Sequence, residues 1–175
     1  KMKTNKFYIN LENKHGAHNY HPLPVVLTRG KGIYVWDVEG NKYFDFLSAY
    51  SAVNQGHNHP DIVAAVHRQS ERLSLVSRAF HSDQLSLYAE HITRLFRYDK
   101  VLPMNTGAEG VETAIKLCRK WGYEKKNIPV NEGKIIFAAG NFHGRTIGTI
   151  SASIDSDTTG NFGPFVPGYH IIPYN

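Results

Sequence analysis

The sequence predicts an α/β fold, in which a small N-terminal β-element accompanies the first part of a helix-flanked, mostly parallel sheet. Two patterns support this class. Short runs rich in Val, Tyr and Trp, separated by glycine turns, predict antiparallel strands between residues 25 and 48. After residue 58, helical and buried-strand patterns alternate, which is typical of a parallel α/β sheet. We therefore predict an N-terminal segment with a small-domain meander over residues 1–58. Residues 59–175 are predicted to form the first part of a larger domain.

The N-terminal elements follow from prolines and turn glycines. Residues 1–24 are polar and end in HPLP, where two prolines favour an extended chain, so no regular element is predicted there. The stretch VVLTRGKGIYVWDVEGNKYFDFLS comes next. Gly30 and Gly32 mark one turn in it and residues 39–41 mark another, which predicts an antiparallel meander.

The second part of the chain alternates helices and strands. His59 and Pro60 begin a predicted helix, Ser82 caps a second one, and a third runs from residue 106 to about Tyr123. A short helix ends at Ile150. Buried strands are predicted at residues 101–104, in KIIFAAG from residue 134, and at residues 169–173.

Composition excludes several classes of protein. The formal net charge is +5, but the basic residues are scattered rather than clustered, which argues against nucleic-acid binding. A non-catalytic basic binding domain stays as an alternative. No apolar run reaches the roughly 18 residues that span a bilayer, so no membrane association is predicted. The first residues predict no secretory signal. The single cysteine, Cys118, excludes an internal disulfide and fits a reducing compartment.

The start of the third helix has the chemistry of an anion site. Thr106 and Glu109 have capping-box spacing, so one interpretation is simply a well-capped helix. The other is a phosphate site, with the N–H groups of Gly107 and Ala108 and the Thr106 hydroxyl as donors. Glycine favours this second interpretation because it lets a ligand approach the backbone. The glycine patterns of P-loops and dinucleotide-binding turns are absent.

The loop NFHGRT, residues 141–146, follows the next strand and should neighbour this helix start. Phe142 is suited to stacking on a flat ring, and Arg145 to pairing with a carboxylate. The alternatives are a core aromatic and a surface charge. Tyr20 and Tyr50 each lie in a polar loop, where a tyrosine either binds a ligand or packs with its hydroxyl in water.

Histidine spacing raises the question of a metal site. The candidates are His15, His18, His21, His57 and His59. Prolines nearby disfavour a helix that would bring the first three together, and no cysteine or carboxylate cluster accompanies them. We predict no metal site.

Several segments together resemble the class III pyridoxal-phosphate aminotransferases over residues 15–175. They are GAHNYHPLP, FLSAYSAVNQGHNHP, SRAFHSDQL, VLPMNTGAEGVETAIKLCRKWGY, NFHGRT and FGPFVPGYHIIPYN. HNYHPLP and FLSAYSAVNQGH are similar to the branch that uses ornithine. Branches acting on acetylornithine or 4-aminobutyrate stay as alternatives. The resemblance implies aminotransferase fold type I and pyridoxal 5'-phosphate as the cofactor.

The resemblance also implies roles for the cofactor-binding residues. Thr106, Gly107 and Ala108 match the turn that holds the cofactor phosphate, and Phe142 matches the aromatic that stacks on the pyridine ring. His143 lies at a cofactor-side position that is Trp in some members, so its role stays open.

On the substrate side, the resemblance implies that Arg145 pairs with a carboxylate. Tyr20 matches the tyrosine that selects ornithine at its α-amino end, and Tyr50 one that lines the substrate pocket. The implied reaction moves the δ-amino group of L-ornithine to 2-oxoglutarate and gives glutamate and glutamate 5-semialdehyde.

The resemblance places no catalytic residue in this segment. The Schiff-base lysine of the family is expected after Asn175, because Lys134 is the last lysine here and does not fit that role. We therefore expect the chain alone to be inactive. A homodimer or higher homo-oligomer is expected, in the cytoplasm or, for a eukaryotic source, in the mitochondrial matrix.

Overall fold

The computed structural model describes residues 3–175, so the first two residues of the predicted segment 1–58 lie outside the described part. The chain divides into two compact units, one ending at Ser82 and the other running from Asp83 to Asn175. The predicted domain boundary after residue 58 stays a prediction. The elements are, in chain order, α1 (Asn5–His15), β1 (Leu27–Lys31), β2 (Tyr34–Asp37), β3 (Lys42–Phe44), α2 (Ser48–Ser51), α3 (Pro60–Arg72), α4 (Asp83–Phe96), α5 (Gly107–Lys125), β4 (Ile135–Ala138), α6 (Ile147–Ile150), α7 (Ser156–Thr159) and β5 (Tyr169–Ile172).

The sheet of the first unit is the predicted antiparallel meander. β2 pairs with both β1 and β3 and contributes the buried side chain of Val35. The turn between β2 and β3 is closed by Asp37, whose Oδ1 accepts the backbone N–H groups of Glu39 and Asn41 at 3.0 and 2.8 Å. An acidic side chain that bonds the backbone two residues later is a usual turn-forming device.

A helix occupies part of the N-terminal segment, so the prediction of irregular structure for residues 1–24 is wrong at Asn5–His15. Thr4 caps this helix, and its Oγ1 accepts the N–H of Phe7 at 3.3 Å. None of the helical residues is buried. An apolar stripe is the main sequence signal for a helix, and α1 has little core-facing surface to produce one.

Asp37 also joins α1 to the meander. The residue is 2% exposed. Its Oδ2 accepts hydrogen bonds from Asn5 Nδ2, Asn41 Nδ2 and the Tyr43 hydroxyl at 3.1, 2.9 and 3.0 Å. Burial works to raise the pKa of Asp37, but the hydrogen bonds outweigh burial and hold that pKa well below its ordinary value. The same contact raises the pKa of the Tyr43 hydroxyl, because the phenol donates to a carboxylate.

The second unit is built on a parallel strand pair, as the α/β prediction requires. β4 and β5 run parallel, with Ile135 opposite Tyr169. Ile115 of α5, Phe137 of β4 and Ala152 form the buried core of this unit. Helix, strand, helix and strand therefore follow each other in the order α5, β4, α6, β5, with α7 in the last connection.

The predicted strand at residues 101–104 is wrong. These residues have no strand structure, and Leu102 is 66% exposed. A strand needs a neighbouring strand to satisfy its backbone N–H and C=O groups. Within the described second unit, the strands β4 and β5 pair with each other.

Candidate functional site

The start of α5, residues 106–109, is the predicted anion site, and we call it the helix mouth. Thr106 Oγ1 accepts the N–H of Glu109 at 3.2 Å, and Glu109 Oε2 accepts the N–H of Thr106 at 2.9 Å, so the predicted capping box is present. A helix leaves its first four N–H groups without intrahelical partners. The N–H of Glu109 is bonded to the cap residue Thr106. The N–H groups of Gly107 and Ala108 therefore remain available to solvent or a ligand.

Space beside Gly107 is open. Apart from its chain neighbours and the backbone of its own helix, a Cβ added at Gly107 would meet no described atom within 4 Å. The helix dipole places partial positive charge at this end, and the Thr106 hydroxyl can donate its own hydrogen to an acceptor. Two main-chain N–H groups and one hydroxyl form a donor set that fits a phosphate group, and the open space beside them leaves room for it.

The loop 141–146 packs against this mouth. Gly144 has a φ of +122°, and a Cβ there would lie 2.8 Å from the Cβ of Ala108, so only glycine fits without strain. Asn141 fixes the start of the loop, since its Nδ2 donates to the carbonyls of Ala138 and Ala152 at 2.6 and 2.7 Å. The two segments singled out in the sequence are therefore neighbours in the structure.

The side chains of this loop divide between solvent and core. Phe142 is 72% exposed, which excludes a core role for it in the described chain. The guanidinium of Arg145 lies 5.8 Å from the centre of the Phe142 ring. His143 is half-buried, and its ring centre is 5.6 Å from that of the core residue Phe137. Phe142 and Arg145 together offer an accessible aromatic face and a carboxylate-binding group.

Glu112 holds the far end of the loop, and no sequence pattern marks it as part of the site. Its Oε1 accepts a short hydrogen bond from the Thr146 hydroxyl. Gly148 leaves room for this carboxylate, since a Cβ there would lie 2.5 Å from Glu112 Oε1. Thr146 in turn caps α6 through reciprocal bonds with Thr149. Glu112 and Thr146 are 34 positions apart, so no local spacing rule could have paired them.

Tyr20 and Tyr50 lie in the first unit, whereas the other predicted site residues lie in the second. Tyr20 is 55% exposed and lines a groove between α1 and the segment that leads to β1. Tyr50 is 85% exposed and belongs to α2, a single turn with left-handed backbone angles.

Among the candidate histidines, His57 and His59 have partners that explain their positions. His59 caps α3 by accepting the N–H of Asp61 at 3.3 Å. His57 Nε2 lies 2.7 Å from Asp45 Oδ2. Over residues 3–175, no group of three or more His, Cys, Asp or Glu side chains is arranged to hold a metal ion. In the same range, no helix is long and apolar enough to cross a bilayer.

Known proteins match this chain in sequence and in structure. Residues 15–175 match the family Aminotransferase class-III. The chain is 64% identical over 164 residues to the mitochondrial ornithine aminotransferase of Drosophila melanogaster. This alignment covers 94% of this chain and 38% of the Drosophila protein. The ornithine aminotransferase of Toxoplasma gondii, whose active site holds PLP at partial occupancy, superposes with a TM-score of 0.97 at 46% identity, covering 99% of this chain and 41% of that one.

An acetylornithine aminotransferase from Elizabethkingia anophelis is also similar. Its TM-score is 0.83 at 60% identity, over 98% of this chain and 41% of that one. The chain thus spans about two fifths of the length of the relatives it matches. The family match over residues 15–175 and the agreement of the backbones show that this chain belongs to the class III aminotransferases, which are pyridoxal-phosphate enzymes of fold type I.

Proposed function

We propose that the protein to which this chain belongs transfers the δ-amino group of L-ornithine to 2-oxoglutarate, giving glutamate and glutamate 5-semialdehyde. The observation that carries the proposal is the close packing of Gly144 on Ala108. This packing sets the exposed Phe142 ring and the Arg145 guanidinium on a loop beside an anion-binding helix start. The 64% identical Drosophila protein, an ornithine aminotransferase, supports ornithine as the substrate.

The cofactor of this reaction is pyridoxal 5'-phosphate. The N–H groups of Gly107 and Ala108, with the Thr106 hydroxyl, would hold its phosphate at the positive end of α5. Phe142 would stack on its pyridine ring. When bound, pyridoxal phosphate supplies the electron sink that amino-group transfer requires. His143 supports the loop from the core side, an assignment that its contact with Phe137 favours.

Arg145 and two tyrosines bind the substrate. The Arg145 guanidinium pairs with a substrate carboxylate through two parallel hydrogen bonds. Anchoring that end of the molecule decides which amino group is available for transfer, because orientation is fixed before the reaction begins. Tyr20 binds the α-amino end of ornithine, and Tyr50 lines the pocket.

Replacing Arg145 by alanine in the complete enzyme tests this assignment. Losing a charge-assisted pair costs about 1.5–3 kcal/mol, so kcat/KM for ornithine should fall about 10- to 100-fold. Cofactor absorbance should be unchanged. Lys120→Ala is the matched control, since the Lys120 side chain is 70% exposed and pairs with Glu124 on the surface of α5. Unchanged kinetics for Arg145→Ala would refute the carboxylate role.

A second candidate substrate is acetylornithine, which the 60% identical Elizabethkingia protein favours. Steady-state assays with both amino donors decide between them. A higher kcat/KM for ornithine supports the proposal, and a higher value for acetylornithine replaces it.

The compartment and the oligomeric state remain predictions. The Drosophila relative is named mitochondrial, which favours the mitochondrial matrix over the cytoplasm. The predicted homodimer can be checked by light scattering on the complete protein, where a monomeric mass would contradict it.

A further inference from the structure

Four consecutive non-glycine residues of the first unit have left-handed backbone angles. The φ values of Ser48, Ala49, Tyr50 and Ser51 are 48°, 46°, 56° and 72°. Residues with a Cβ avoid this region because the Cβ crowds the following carbonyl oxygen, and they normally enter it singly. A run of four persists only where the surroundings impose it. Tyr50 is the third residue of this run.

Asp45 holds the start of the turn. Its Oδ1 accepts the N–H groups of Leu47 and Ser48 at 3.1 and 2.8 Å, and its carbonyl accepts the Ser48 hydroxyl at 3.3 Å. The backbone of Leu47 then accepts the N–H of Tyr50 at 2.9 Å. One carboxylate therefore fixes the residues from which Tyr50 projects. The bond from the Ser48 N–H and the contact with His57 also lower the pKa of Asp45.

His57 holds Asp45 from the other side. Its Nε2 lies 2.7 Å from Asp45 Oδ2, and the His57 and Asp45 side chains are 26% and 16% exposed. The backbone of His57 exchanges two hydrogen bonds with Gly32, of 2.8 and 2.9 Å. Its ring rests on Gly30, where a Cβ would come within 2.6 Å of the imidazole Cγ. The β1–β2 hairpin thereby sets the position of His57.

We propose that Asp45 and His57 form a positioning pair that holds the left-handed turn Ser48–Ser51 and so fixes Tyr50 for substrate binding. The inference rests on the proposed function, in which Tyr50 lines the substrate pocket. Contacts run without a break from the hairpin through His57 and Asp45 to the amide of Ser48, two residues before Tyr50. The pair acts through Tyr50 and has no role as a catalytic group.

The first test uses single variants of the complete, cofactor-loaded enzyme. His57→Ala should raise KM for ornithine about tenfold, the effect of losing one charge-assisted hydrogen bond, and Asp45→Ala should raise it at least as much, because its carboxylate also accepts the N–H groups of Leu47 and Ser48. The value of kcat and the cofactor content should stay unchanged. His57→Gln should restore KM to within about twofold, because its amide nitrogen can donate in place of Nε2. Glu71→Ala, an exposed carboxylate of the same unit, is the control and should leave KM unchanged.

A double-mutant cycle separates positioning from general stabilisation. Tyr50→Ala should raise KM by itself, and adding Asp45→Ala should then raise it little further, because both changes remove the same interaction. If Asp45→Ala does not fold, His57→Ala takes its place in the cycle, since it removes the other member of the pair. Additive effects on KM overturn the proposal, and so does a Tyr50→Ala variant with unchanged KM. If the wild-type enzyme prefers another amino donor, the proposed function fails, and the same cycle run with that donor still decides the role of the pair.

Discussion

Gly107→Val separates the binding role of the helix mouth from its structural role. The added side chain begins in open space, since a Cβ at Gly107 has no described atom within 4 Å. Valine is a slightly better helix former than glycine, so the free energy of unfolding should change by no more than about 0.5 kcal/mol. The fold itself should therefore tolerate the substitution.

The effect on cofactor binding should be large. The isopropyl group occupies the space over the amides of Gly107 and Ala108, where the phosphate is proposed to bind. A hydrogen bond to a charged group contributes about 1.5–3 kcal/mol, so losing even one should weaken binding about 10- to 100-fold. Loss of both should prevent saturation at ordinary cofactor concentrations.

Gly110→Val is the matched control. Gly110 lies on the same helix, and a Cβ there also meets no described atom within 4 Å. Its N–H, however, already bonds the Thr106 carbonyl at 3.1 Å and is not available to a phosphate. The control should retain both stability and cofactor affinity.

Two measurements on the complete polypeptide decide whether Gly107 is needed for cofactor binding or for stability. Urea unfolding of the cofactor-free proteins gives the stability change, and absorbance titration with pyridoxal phosphate gives the dissociation constant. Normal affinity in Gly107→Val would show that the phosphate binds elsewhere. Equal loss in Gly110→Val would show that the effect belongs to the helix rather than to its mouth.

Other residues of the two units give further tests. Gly144→Ala should destabilise the protein by about 2–5 kcal/mol in urea unfolding, combining strain at positive φ with the clash against Ala108; a neutral result would contradict the packing. Asp37→Asn should lower the unfolding midpoint at neutral pH. Because the pKa of Asp37 is depressed, its contribution is present above its ordinary value of 3.8 and is lost as the pH falls below it, so the two proteins should converge there. Glu112→Ala should lower the free energy of unfolding by about 1.5 kcal/mol and speed hydrogen exchange in α6. Glu112→Gln should have a smaller effect on both, and equal effects of the two variants would contradict the hydrogen bond to Thr146.

The features that the sequence predicts correctly depend on residues that lie close together in the chain. The capping box needs only Thr106 and Glu109 at the right spacing, and both bonds are present. The meander needs turn residues at 39–41 between runs of strand-forming residues, and these too are adjacent in sequence. The expected meeting of the helix start and the loop 141–146 depends on the predicted strand at residues 101–104. That strand is absent, yet Gly144 of the loop packs on Ala108 of the helix start.

The features that sequence reasoning misses depend on partners elsewhere in the chain. The apolar residues 101–104 predict a strand, but strand structure requires a neighbouring strand. The sequence carries no signal for α1, because this helix is stabilised by its cap and by the hydrogen bond from Asn5 to Asp37 and not by an apolar face. The left-handed turn at Ser48–Ser51 contains no glycine, so no residue in it marks the unusual backbone.

The same distinction explains why the proposed phosphate site is easier to recognise in the sequence than the proposed placement of Tyr50. The proposed phosphate contacts are mainly main-chain N–H groups, which every residue except proline has. The site then requires only that residue 107 lack a Cβ and that residue 144 adopt a φ of +122°, and glycine meets both requirements. Two glycines and a cap therefore indicate a candidate phosphate site, and the same residues also fit a simply capped helix. The proposed placement of Tyr50 depends instead on Asp45 and His57, which are 12 positions apart and meet only because Gly30 and Gly32 seat the histidine. Substitutions around the helix mouth should therefore be tolerated when they spare the glycines, whereas the Tyr50 turn should be sensitive to several side chains that never touch the substrate.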